Sequence, residues 1–302
     1  MRRDAEDGGV MTRRRAAPPA WDRVFPPRVM ARVLGGLGLR WKPLVVLFNY
    51  VGFVLGISLL WPYLILAPLA QRWGSAAARL RLQRFFGWLW LACFGVYRRA
   101  WYHPEIRADE SYVYLAEHMS LIDIPLYATT WPTLTRGLSA REYRAIPMYG
   151  WLLRAAGTEF IERRHARVAL RDLQSLRRRM LSEQFSLLVV PAGTRTPDGR
   201  KVPFRRGVFS HIALHRPLVP VYLVGLERLV LGKYLCSPGR VDVVYGAPIR
   251  PEAHPEAFAD EQSLRDYVQA RMQEEGQLLR RQRRALMRGE MLRAVRPAAS
   301  EP

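Results

Sequence analysis

The chain has 302 residues, 49% hydrophobic and 24% charged, which are globular proportions and exclude a chain disordered throughout. Lysine and arginine number 47 against 26 acidic residues, a net charge of +21, so a polyanionic partner is expected: nucleic acid, an anionic bilayer or a phosphorylated substrate. With only Cys93 and Cys236, a disulfide scaffold and a zinc site built on CxxC pairs are both excluded.

In chain order, residues 1–24 mix Arg, Asp, Gly, Ala and Pro without apolar periodicity and read as a disordered basic tail. Residues 25–100 read as a membrane-anchoring helical region. Within it, the run from Pro43 to Gln71 holds no charged residue over 29 positions. As a straight helix it would measure roughly 44 Å against a hydrocarbon core of about 30 Å. A membrane segment is therefore expected, with Pro62 and Pro68 able to bend or break it. Ten cations lie in residues 1–42, and Arg72, Arg79, Arg81 and Arg84 lie on the other side of the run. Cations on both flanks argue against a single span under the positive-inside rule. A second apolar stretch, Phe85 to Tyr97, is too short to cross. The expectation is a pair of helices embedded from the cytoplasmic face, with both ends returning to it.

From Trp101 onward, short β-rich runs alternate with helical stretches. Predicted strands are Tyr112–Ala116, Thr135–Ser139, Thr158–Ile161, Ser186–Val190, Pro220–Val224 and Val241–Tyr245. In Arg164–Glu183, the residues Ala169, Leu173, Leu176 and Met180 recur at helical steps; Phe204–His215 and Glu261 to about Arg293 are the other predicted helices. The alternation predicts an α/β domain over 101–250, a mixed, mostly parallel sheet flanked by helices. Residues 251–302 are left as a C-terminal basic helix and tail, in which Arg280, Arg281, Arg283, Arg284 and Arg288 surround Leu279 and Leu286 on a solvated or membrane-lying face.

The first predicted strand runs into Glu117-His118-Met119-Ser120-Leu121-Ile122-Asp123-Ile124-Pro125. A separation of five within one helix turns side chains about 140° apart. His118 must therefore precede the helix if Asp123 is to meet it, and Pro125 suits the first helical turn. In that arrangement the carboxylate fixes the imidazole tautomer and raises its basicity. The plainer alternative is a loop histidine beside a helix cap, since Ser120-x-x-Asp123 has capping-box spacing. Two further strand ends, Gly157–Arg163 and Val190–Arg195, finish in arginine. Two such guanidiniums near a strand-end histidine would make an anion site beside a general base.

These blocks in this order resemble the glycerolipid acyltransferases of the 1-acylglycerol-3-phosphate acyltransferase type. The resemblance rests on the H-x4-D box of His118 and Asp123, on Leu138–Tyr143, Ile146-Pro147, Gly150 and Gly157-x-x-Phe160-Ile161-x-Arg163, then on Gly193-Thr194-Arg195 and Val219-Pro220-Val221. It implies that His118 is the general base on the acceptor hydroxyl and that Asp123 orients it. It further implies that Arg163, Gly193, Thr194 and Arg195 hold the acceptor phosphate and that Pro220 belongs to the acyl side. The implied co-substrate is acyl-CoA or acyl carrier protein, with no cofactor and no metal. The implied partners are a lysophospholipid and an anionic membrane surface, with no nucleic acid. One departure is that Ala192 stands where the family pattern has Glu, which leaves the acceptor headgroup open to another lysolipid such as lyso-ornithine lipid. A non-catalytic membrane scaffold is the other alternative.

Overall fold

A computed structural model describes residues 42–195, 202–213, 216–231 and 235–283. The expectations for the tail at 1–24, and for Arg284, Leu286 and Arg288, lie outside the described residues.

The uncharged run forms one continuous helix, α1 (Lys42–Trp73), which passes through both prolines. Val46–Trp73, with mean hydropathy 2.0, is long and apolar enough to cross a membrane, by length and composition alone. Helix α2 (Ala76–Cys93) is capped by Ser75, whose side chain accepts from the Ala78 N–H, and folds back along α1. Tyr63 and Ala67 of α1 pack with Phe86 of α2 and with Ala155 from the domain beyond. Much of α1 faces outward, including Tyr50, Leu55, Ile65 and Trp73. Both of its ends are nonetheless fastened to the following domain. Asn49 exchanges two hydrogen bonds of 2.9 Å with the backbone of Cys236, and the Gln71 amide donates to the Ala155 carbonyl at 2.7 Å.

The remaining elements are β1 (Val96–Tyr102), β2 (Val113–Ala116), α3 (Asp123–Ala128), β3 (Thr135–Ala140), a 3-10 turn (Arg141–Ala145), α4 (Tyr149–Ala155), β4 (Glu159–Ile161), α5 (Ala166–Glu183), β5 (Ser186–Val189), α6 (Arg206–His211), β6 (Leu218–Val224), the short β7 (Val230–Leu231) and β8 (Leu235–Cys236), β9 (Gly239–Tyr245) and α7 (Glu261–Arg281). Seven strands make one sheet in the order β1-β9-β6-β2-β5-β3-β4. Every neighbouring pair in it is parallel except β6–β9. The expected mixed, mostly parallel sheet with flanking helices is thus the observed fold.

Alternation along the central strands divides two cores. Val113 and Leu115 of β2 join Leu218 and Tyr222 of β6 beneath α5, α6 and α7. Tyr114 and Ala116 join Val219 and Val221 on the other face, against α2 and α3. Each side chain of β2 is buried, as expected for a central parallel strand covered on both faces.

The domain boundaries set at 100/101 and 250/251 fall inside this packed unit. Strand β1 starts at Val96 and pairs along its length with β9. Helix α7 buries Leu264, Val268 and Leu279 in the first core. Leu279 is therefore a core residue and not part of a membrane-lying face.

Candidate active site

Strands β2, β5, β3 and β4 are adjacent and parallel, so their carboxyl ends open on one edge of the sheet. Open α/β sheets bind ligands at that edge. His118 comes two residues after β2, Arg195 follows β5, and Arg163 follows β4. The structure brings His118 and Asp123 together, with Nδ1 of the ring 2.8 Å from Asp123 Oδ2. The same oxygen accepts the N–H groups of Met119, at 2.5 Å, and Ser120, at 3.0 Å. Asp123 is fully buried, and its Oδ1 has no partner among the described residues. One carboxylate thus both caps the turn and orients the ring, so the two alternatives drawn from the sequence coexist. Asp123 opens α3, and Pro125 sits in its first turn, where the missing N–H costs no helical bond. Because Nδ1 is engaged, a proton taken from a substrate would go to Nε2.

The arginine loops differ in how they are held. Arg141, after β3, is bound by Asp172 at 2.7 Å and is thereby committed to structure. Arg163 reaches solvent, yet its guanidinium is held below its ordinary value, first by desolvation and then by the charge of Arg205. Arg195 lies beside Tyr149, where its charge opposes the upward push of burial on the phenol. Tyr149 is placed there by a tight turn in which Met148 adopts φ 60°, a strained conformation for a side-chain-bearing residue. Gly193 has φ 66° and its N–H closes a turn onto the Val190 carbonyl at 3.0 Å. Thr194 is exposed beside it, and Ala192 is partly buried. Pro220 is buried inside β6 opposite Leu115, one residue before the end of β2. Its missing N–H is tolerated because it faces the segment leaving β9, where Gly246 donates to the Pro220 carbonyl and Ile249 bonds to Leu218 instead.

Sequence reasoning did not find the support behind His118. Glu117 forms an ion pair with Arg280 of α7 and accepts the Leu223 N–H at 3.1 Å, while the Tyr127 hydroxyl donates to the Glu117 carbonyl. Gly276 leaves room for the Arg280 side chain, since a Cβ there would stand 2.9 Å from Arg280 Nη1 and 3.4 Å from Tyr222 Cδ1 of β6. The available signal was Glu117 itself, an acid at the end of an apolar strand.

Burial holds the Glu117 carboxyl above its ordinary range, while Arg280 pulls it down. A carboxyl raised in the folded state favours folding in acid, and that contribution declines as pH climbs past the ordinary carboxylate range. Arg280→Met removes the compensating cation. It should cost about 1–3 kcal/mol at neutral pH and less at a mildly acidic pH that protonates Glu117. Denaturant unfolding at both pH values measures this, and adding Glu117→Gln should recover most of the loss.

The acyltransferase family model matches residues 101–224. A 1-acyl-sn-glycerol-3-phosphate acyltransferase from Cocos nucifera is 30% identical over 160 residues, 52% of this chain and 50% of the relative. One of the same name from Limnanthes alba is 28% identical over 210 residues, 67% of this chain and 68% of the relative. The chain thus spans half the length of the first relative and about two thirds of the second. The crystal structure of the 1-acyl-sn-glycerophosphate acyltransferase PlsC from Thermotoga maritima shares the fold, with TM-score 0.61 and 24% identity over 78% of this chain and 95% of that one.

Proposed function

We propose that the protein moves a fatty acyl group from an acyl thioester to the free hydroxyl of a lysophospholipid, foremost 1-acyl-sn-glycerol-3-phosphate, giving phosphatidic acid; the match of residues 101–224 to the acyltransferase family model supports this. The observation that carries this reading is the His118–Asp123 contact at the carboxyl end of β2, on the edge where the arginine loops open. His118 Nε2 takes the proton of the acceptor hydroxyl as its oxygen attacks the thioester carbonyl carbon. The tetrahedral intermediate collapses, the C–S bond breaks, and the departing thiolate recovers the proton from the imidazolium. Direct transfer needs no acyl-enzyme. Arg163 and Arg195, with Gly193 and Thr194, hold the acceptor phosphate, for which planar guanidinium donors are suited. Pro220 acts indirectly, as a shaped position in β6 beside β2. The chemistry calls for no cofactor or metal; acyl-CoA or acyl carrier protein is the donor.

Helix α1 and its partner α2 hold the enzyme to an anionic membrane with the domain on the cytoplasmic face. Asn49 and Gln71 stand about 33 Å apart along α1, yet both bond to the same domain. This favours a helix pair lying in one leaflet over a helix crossing a hydrocarbon core about 30 Å thick. Cations flank the apolar run on both sides, as that placement requires. Ala192 favours a second reading in which the acceptor carries another headgroup, such as lyso-ornithine lipid.

The test presents the full chain in vesicles with a panel of lysolipids and with both acyl-CoA and acyl carrier protein donors, read by mass spectrometry. Phosphatidic acid as the dominant product is expected. A different acylated lipid would reassign the acceptor, and no product from any pair would overturn the enzymatic reading.

A further inference from the structure

Arg205 lies ten positions after Arg195 and fourteen before Val219, outside every motif drawn from the sequence, yet it folds back onto the anion loop. Its N–H donates to the Pro191 carbonyl at 2.9 Å, which fixes its backbone against the turn after β5. Its side chain runs over Gly193: a Cβ built on that glycine would stand 2.5 Å from Arg205 Nε and 2.8 Å from Cδ. The absent side chain at Gly193 is what gives the guanidinium its place. Its charge is felt at Arg163, on the loop after β4. Among the described residues, neither Arg163 nor Arg205 has a carboxylate within ion-pair distance; Glu142 is the acid acting on Arg163 from farther off. Like charges that bear on one another in this way repel, and an anion between them relieves the repulsion.

We propose that Arg205 is a further substrate-binding residue, which closes over Gly193 and, with Arg163, clasps the phosphate of the acceptor. This rests on the lysophospholipid acyltransferase reading and deepens it, selecting a phosphomonoester, which carries roughly −1.5 to −2 charge near neutral pH, over a zwitterionic or uncharged headgroup. The contact is to the ground-state headgroup and not to the reacting atoms, so its loss acts on binding.

The test compares wild type and Arg205→Gln in the full chain. The variant should raise KM for 1-acyl-sn-glycerol-3-phosphate roughly 10- to 100-fold, as expected for a charge-assisted hydrogen bond. Its kcat should stay within about threefold, and KM for the acyl thioester should not move. A second measurement uses no turnover: sn-glycerol 3-phosphate should raise the unfolding temperature of the wild type and have little effect on Arg205→Gln. If the wild type turns over no phosphorylated acceptor, the functional reading falls, and the headgroup-induced shift still decides the role of Arg205. An unchanged KM, an equal shift in both proteins or no shift in either overturns the proposal. Should Arg205→Gln fail to fold, Arg205→Lys decides: a smaller rise confined to the phosphorylated acceptor supports it, and wild-type constants overturn it.

Discussion

Replacing His118 with alanine should lower the rate of acyl transfer by a factor of about 10² to 10⁴, the range typical of an acid–base group. The side chain sits on the loop after β2 and its ring is only partly buried, so little packing is lost. The unfolding midpoint should stay within about 1 kcal/mol of wild type, as for most substitutions outside the core. The loss should appear in kcat and kcat/KM together, because proton removal contributes only in the transition state. Steady-state kinetics with a fixed donor, paired with denaturant unfolding, separates these quantities. Wild-type rates in a folded His118→Ala protein would remove this imidazole from the mechanism.

Asp123→Asn should be as severe for chemistry and more informative about its cause. The native carboxylate accepts from His118 Nδ1 and from the N–H groups of Met119 and Ser120 through a single oxygen. An asparagine whose side-chain oxygen takes that place keeps all three donors, and its N–H₂ then stands at the Oδ1 position, which is buried and has no partner among the described residues. The ring keeps its orientation and tautomer, but the negative charge that stabilises the imidazolium formed at His118 is gone. A rate loss of about 10² to 10⁴ is expected, with a stability loss of about 1–3 kcal/mol from the buried, unpaired amide. Asp123→Ala should lose the same activity and about 2–4 kcal/mol of stability as well, because two backbone donors beneath a buried side chain lose their acceptor. Comparing the two variants by activity and by unfolding separates the loss of charge from the loss of the cap.

The parts of the fold legible in the sequence were those where one physical signal acted alone. The six predicted strands fall within two residues of the observed ones; five of them lie inside the sheet, where apolar runs are covered by neighbours, and the sixth, β4, is an edge strand. Strand β1 was missed. Arg98 and Arg99 interrupt Val96–Tyr102, and its apolar start was read as the end of the stretch from Phe85. It is an edge strand, and Arg99 is neutralised there by Asp242 of β9 at 2.8 Å, a partner that sequence separation conceals. The two-residue strands β7 and β8 are too short to carry any periodicity. At the site, the meeting of His118 with Asp123 was legible because both lie within one turn of chain and Pro125 fixes where the helix begins. The ion pair between Glu117 and Arg280 spans 163 positions and was not. Arg280 belonged to a run of arginines whose plainest reading was a solvated face, and only the packing of Gly276 against the sheet shows which of them turns inward. Arg205 escaped notice for a similar reason: its role depends on a neighbour that has no side chain.

Helix α1 is stitched to the domain near Asn49 and again at Gln71, and with α2 it covers part of the second core through Leu91 and Phe94. It is therefore a wall of the catalytic unit and not a detachable leash. Trimming the chain back to β1 would uncover Cys236, Ala155 and the Tyr127 side of the sheet, exchanging a greasy exterior for a raw interior. A water-soluble version is better reached by recolouring: polar replacements at outward positions such as Tyr50, Leu55, Ile65 and Trp73, with the inward seam of Gly52, Gly56 and Tyr63 left as it is.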